Sequence, residues 1–100
     1  MITLGETATT IRSKNAGPFW ATIDIFFDNQ PQFEYASQML QTSIVATQLQ
    51  VPEQELKRFD LIDILVIKIS FPRPIVQGHI SDRDMHGAQY AWLLSDISLD

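Results

Sequence analysis

The polar segment SDRDMHG carries the residues with the most chemical potential, because Asp82, Asp84 and His86 stand two apart. An extended backbone returns a side chain to the same face every second residue, so two carboxylates and an imidazole would line up there. That donor set suits a divalent metal, with His79 available at open spacing as a further ligand. The commoner arrangement of such residues is structural: Asp82 or Asp84 pairs with Arg83 or another loop arginine, and His86 bonds the turn at Gly87. Asp with His is also the minimum for acid–base chemistry. A second cluster, Arg12, Ser13, Lys14 and Asn15 followed by Ala16 and Gly17, offers an anion site. Arginine grips a carboxylate or phosphate with two parallel bonds, and successive N–H groups in a tight turn form a nest for negative charge. The spacing is neither a P-loop nor GxGxxG, so the chemistry it supports is an anionic group on a small metabolite. No nucleophile, base and orienting group stand at a diagnostic spacing. The isolated chain is expected to hold no tight metal, and no cofactor is assigned.

These groups need elements to position them. Residues 7–11, TATTI, are β-branched and predict a first strand, with the polar stretch from Arg12 to Pro18 as a binding loop after it. Phe19, Ala21, Ile23, Ile25 and Phe27 then alternate with Trp20, Thr22, Asp24 and Phe26, the period of two of a strand with one apolar face. Asp28 and Asn29 can cap a helix over residues 31–41, where Phe33, Ala36, Met39 and Leu40 recur at helical spacing. Thr42 or Ser43 can cap a second helix whose stripe is Ile44, Val45 and Leu49, stopped by Val51 and Pro52. Phe33 and Met39 read as core. Residues 56–61 predict a short strand, and residues 64–71, ILVIKISF, a central one. Leu65, Ile67, Ile69 and Phe71 share one of its faces and Ile64, Val66, Lys68 and Ser70 the other, with Asp24 as the partner for Lys68. Pro72 and Pro74 end that strand, a long polar excursion covers residues 77–89, and residues 94–99 are expected to close the sheet as a last strand.

A chain of 100 residues with 45% hydrophobic content is sized for one domain, residues 1–100, with one core. Little material is left for a deep enclosed site, so a partner chain is expected to complete any site. There is no cysteine, which removes disulfides and thiolate metal sites. No secretion signal opens the chain and no apolar run has membrane length, so the expectation is a soluble cytoplasmic protein with no membrane contact. A net charge of -5 with seven Lys and Arg argues against a nucleic-acid partner. Arg12, Lys14, Arg73 and Arg83 fall in turn-like segments, whereas Lys57, Arg58 and Lys68 lie in or beside apolar runs.

Three stretches, IRSKNAGPFWATIDIFF, IKISFPRP with the following Gln77 and Gly78, and SDRDMHGAQ, resemble the signature of a small bacterial domain of unknown function. That domain accompanies proteins of the acyclic terpene utilisation (AtuA) type, as a separate chain or fused to them. The resemblance covers residues 7–99 and implies similarity to the C-terminal ferredoxin-like domain of AtuA proteins, where a polar glycine-containing loop likewise precedes a strand. Its motif positions here are Arg12, Ser13, Lys14, Asn15, Gly17 and Pro18, then Arg73 and Gln77, then Asp82, Arg83, Asp84, His86 and Gly87. The chain departs from the pattern at His79 and Ile80 and over residues 61–63. The expected fold is therefore α+β, a ferredoxin-like two-layer sandwich with a mainly antiparallel sheet and two short helices on one face. The expected function is a small subunit or accessory domain of an AtuA-like complex in acyl or carboxylic acid catabolism, its polar loops contributing to an anionic-substrate site. Its partner would be the larger AtuA-like protein or further copies of itself. The rival readings are a purely structural interaction subunit and a metal-dependent lyase or hydratase using Asp82, Asp84 and His86. In either docking reading the sheet face opposite the helices, with Trp20, Thr22, Asp24, Phe26, Val66, Lys68 and Ser70, meets the partner. The alternative is that residues 90–94 fold across that face.

Overall fold

The computed structural model describes residues 2–17, 19–72 and 90–100. Its elements are α1 (Leu4–Thr7), β1 (Thr10–Asn15), β2 (Trp20–Phe26), α2 (Gln30–Met39), α3 (Thr42–Leu49), a 3-10 turn (Glu53–Glu55), β3 (Lys57–Leu61), β4 (Val66–Pro72) and α4 (Tyr90–Ser95). The strands form one sheet in the order β1-β2-β4-β3, and every neighbouring pair is antiparallel. The expected α+β sandwich is what the chain adopts. Alternation decides which face is core: Ala21, Ile23 and Ile25 of β2 and Ile67, Ile69 and Phe71 of β4 are fully buried. They join Phe33, Ala36, Val45, Ala46 and Leu49 of the helices in one hydrophobic cluster. Each large aliphatic side chain so buried stabilises the fold by about 1.5–3 kcal/mol relative to exposure.

Connectivity explains how the layers arise. β2, the α2 and α3 pair, β3, β4 and α4 follow one another as β-α-β-β-α, with β4 inserted between the parallel β2 and β3. A ferredoxin-like layout completes that series with a strand after its second helix. Here the position beside β2 is filled by β1, which comes first in the chain, so the order is permuted. The first and last described residues are held together, as a permutation requires: Leu4 N–H bonds Ile97 O at 2.8 Å and Leu99 N–H bonds Ile2 O at 2.8 Å.

Several expected boundaries move. The first strand is not residues 7–11; Thr7 ends α1, whose N-cap Thr3 accepts from Glu6 N, and the strand runs from Thr10 through the polar stretch to Asn15. The expected binding loop at Arg12–Asn15 is thus an edge strand. Polar residues fit because an edge strand tolerates charge on its wet side, and Ile11 supplies the inward apolar group. Phe19 is not core but 59% exposed, since the ladder begins only where Ala16 N–H bonds Trp20 O. Asn29 caps α2 as expected, its Oδ1 accepting from Gln32 N at 3.0 Å. Neither Thr42 nor Ser43 caps α3; Gln41 holds the N-cap position without a side-chain bond, and the Thr42 hydroxyl instead meets Arg58. The expected last strand at residues 94–99 is overturned too. Residues 90–95 are helical, with Ala91 and Leu94 buried one turn apart, and only an isolated bridge pairs Ser98 with Thr3. No described helix is long and apolar enough to cross a membrane.

Candidate functional site

Register fixes what each face of the sheet displays. On the side away from the helices, one cross-strand row reads Arg12, Asp24, Lys68, Phe59 and the next Lys14, Thr22, Ser70, Lys57. A third row holds Thr10, Phe26, Val66 and Leu61, and Trp20 stands opposite Pro72 at the hairpin end. Arg12, Lys14, Lys57 and Lys68 are exposed, as are Trp20 at 37% and Phe59 at 48%. The Lys57 ammonium reaches across to lie 5.7 Å from the Trp20 ring centre, a cation–π distance. Asp24 is directly opposite Lys68, the expected partner, although among the described residues the closed ion pair is Arg58–Asp60. Thr22 Oγ1 is buried with no hydrogen-bond partner among the described residues. A shallow depression of about 300 Å³ lies beside Thr10, Arg12 and Phe26.

The four residues expected to form one polar loop are divided by the strand between two faces. Arg12 and Lys14 project onto the open face, whereas Ser13 turns toward the helices, where its Oγ accepts the Ala91 N–H at 3.1 Å and anchors the start of α4. Gly17 takes φ +87° in the turn between β1 and β2, a conformation that suits glycine. Of the remaining expected site residues, Arg73, Gln77, Asp82, Arg83, Asp84 and His86 lie outside the described residues, as do Pro18 and the possible fourth ligand His79. The described flanks of that segment both sit at the β1–β2 hairpin end. Pro72 faces Trp20 across the ladder, and the Tyr90 ring meets Phe71 edge-on at 5.1 Å. Among the described residues no three His, Cys, Asp or Glu side chains gather as a metal site.

A family model for a domain of unknown function, DUF4387, matches residues 4–98. The chain belongs to the DUF4387 family. No curated protein and no solved structure matches it.

One polar centre of this DUF4387 chain escaped the sequence reading. Arg58, on the helix-facing side of β3, donates to Ser37 O at 3.0 Å, to Leu40 O and to Thr42 Oγ1 at 3.3 Å. It also bonds Asp60 through Nε at 2.8 Å and through its terminal nitrogen at 3.0 Å, and Asp60 accepts the Ser37 hydroxyl. One guanidinium thus satisfies two carbonyls at the end of α2, a hydroxyl at the start of α3 and a strand carboxylate. Partial burial pushes the Asp60 pKa up, but the hydrogen bonds from Arg58 and Ser37 and the Arg58 charge outweigh it and leave the pKa below the usual carboxylate range. Arg58 and Asp60 stand two apart in KRFDL, which on a strand puts both on one side, and that spacing was the available signal. At the chain end, the Asp100 carboxyl is likewise lowered, mainly by the Ile2 N–H and then the Ser98 hydroxyl.

Proposed function

We propose that this chain is an accessory subunit or domain of an AtuA-like complex in acyl or carboxylic acid catabolism. It docks on its larger partner through the open sheet face and lends Arg12 and Lys14 to an anionic-substrate site. The observation that carries the reading is that face itself: among the described residues an exposed Trp20 and Phe59 stand with four cations around a buried Thr22 and Val66, while the described helices cover the other face. Exposed aromatics gathered on one face are characteristic of protein interfaces, where Trp is enriched among the residues that dominate affinity. The alternative cover, residues 90–94, packs elsewhere, since Leu94 is in the core and Ala91 N–H is bonded to the inward Ser13. The resemblance of the three motifs to AtuA-associated domains supplies the partner class, and membership of a family of unknown function is compatible with it.

A purely interacting subunit without ligand contacts is the second reading, and the bond from Ala91 N–H to Ser13 favours it by giving one motif residue a structural duty. Copurification of the native complex with mass spectrometry of bound small molecules separates the two. A bound carboxylic acid or acyl compound, lost in Arg12→Ala, supports the first; a complex that contains no such compound and whose partner shows unaltered turnover with Arg12→Ala supports the second.

A further inference from the structure

The charge of the open face says what kind of partner it takes. Five Lys and Arg lie among the described residues: Arg12, Lys14, Lys57, Arg58 and Lys68. Arg58 is spent on the helix ends, and the other four all stand on the open face, with Asp24 as the carboxylate between Arg12 and Lys68. Among the described residues, four cations against one carboxylate give this face a positive surplus on a chain of formal net charge -5. Apolar groups adjoin the cations. Phe59 and Leu61 edge the face on β3, and the turn that follows exposes Ile62 and Ile64.

We infer that the open face seats a different protein whose surface presents carboxylates around an apolar centre. This deepens the docking reading above and rests on it. A two-fold dimer through this face would set its surplus of cations against itself, and like charges juxtaposed in an interface cost affinity. A nucleic acid fits less well for two reasons. Asp24 lies in the middle of the cationic row, where a phosphate backbone would meet it, and the Trp20 ring that could stack on a base already carries the Lys57 ammonium. The aliphatic margin of Leu61, Ile62 and Ile64 also asks for an apolar counterpart, which a protein surface supplies.

The test is an NMR titration of the full chain with three probes: an alternating Glu–Leu peptide, a Lys–Leu peptide of the same length and a single-stranded oligothymidylate. Saturable shifts with the Glu–Leu peptide are expected at Arg12, Lys14, Trp20, Lys57 and Phe59. Affinity should fall at least about tenfold in Lys57→Glu/Lys68→Glu and by less in Lys57→Gln/Lys68→Gln, both substitutions being at exposed positions. The inference is overturned by absence of saturable shifts, by shifts confined to the helices, by equal binding of the Lys–Leu peptide or tighter binding of the oligothymidylate, or by self-association of the native chain through this face. A parallel binding assay with the AtuA-like protein keeps the two claims apart. If the peptide binds and that protein does not, the proposed complex is wrong and the charge inference stands. If that protein binds the native chain and the Glu variant alike, the charge inference is wrong and the complex stands.

Discussion

Arg58 is the side chain whose loss the fold should register most strongly among the described polar groups, because four partners, at the end of α2, the start of α3 and in β3, depend on it. Arg58→Met would leave Ser37 O and Leu40 O without their donor and Asp60 without its cation. Its side chain is only 14% exposed, so a cost of about 2–4 kcal/mol is expected in denaturant unfolding. The pH dependence has a fixed sign. The Asp60 pKa is lowered in the folded state, so its contribution is complete above about 3.9, the unfolded value, and is lost as pH falls through the lower folded value. Stability of the native protein should therefore drop more steeply below about pH 4 than that of Arg58→Met. Parallel acid profiles of the two proteins would count against the network. Two glycines allow a paired comparison. A Cβ on Gly5 would come within 3.0 Å of Ser95 Cβ and Ser95 O, where α1 meets α4, whereas one on Gly17 meets nothing within 4 Å but sits at φ +87°. Gly17→Ala should cost about 1 kcal/mol through the backbone alone. Gly5→Ala should cost about 1–3 kcal/mol and lower the protection of α4 amides from hydrogen exchange.

At the scale of elements, the parts that sequence revealed are those where one period dominates. β2 and β4 alternate so strongly that their core faces, from Ala21 to Ile25 and from Ile67 to Phe71, could be read directly, and Asn29 signalled the start of α2. The errors fall where local pattern is weak and tertiary contact decides. The stretch Arg12–Asn15 looks like a loop by composition, yet it is a strand because β2 offers it a ladder. Residues 90–95 contain Leu and Trp that suit either state, and burial of Ala91 and Leu94 on one side selects the helix. Nothing near Gly5 announces the close approach of Ser95, ninety residues away in sequence. Of the candidate site, only the placement of the residues in and after β1 can be compared with the sequence, since the others lie outside the described residues. Arg12 and Lys14 do share one face, but as alternate residues of an edge strand, and Ser13 belongs to the anchoring of α4. Ser13→Ala should accordingly destabilise the protein by about 1 kcal/mol through the lost contact to Ala91 N–H. It should leave any binding by Arg12 intact in calorimetry. An equal loss of binding in Ser13→Ala and Arg12→Ala at unchanged stability would restore the single-loop view.

On the scale of the whole molecule, two layers leave the chain with one face that its described helices cover and one that they do not. The permuted order also separates the ends of the sheet, since it joins the first and last described residues to each other and leaves the β1–β2 hairpin beside Trp20 and Pro72. Aromatic surface and segregated cations on that face make docking the central claim. It is tested most directly by Trp20→Glu, with complex formation followed by light scattering and pull-down with the AtuA-like protein and the fold followed by circular dichroism. Loss of assembly with an unchanged spectrum is the predicted result. Assembly undiminished in a folded Trp20→Glu protein would contradict the claim.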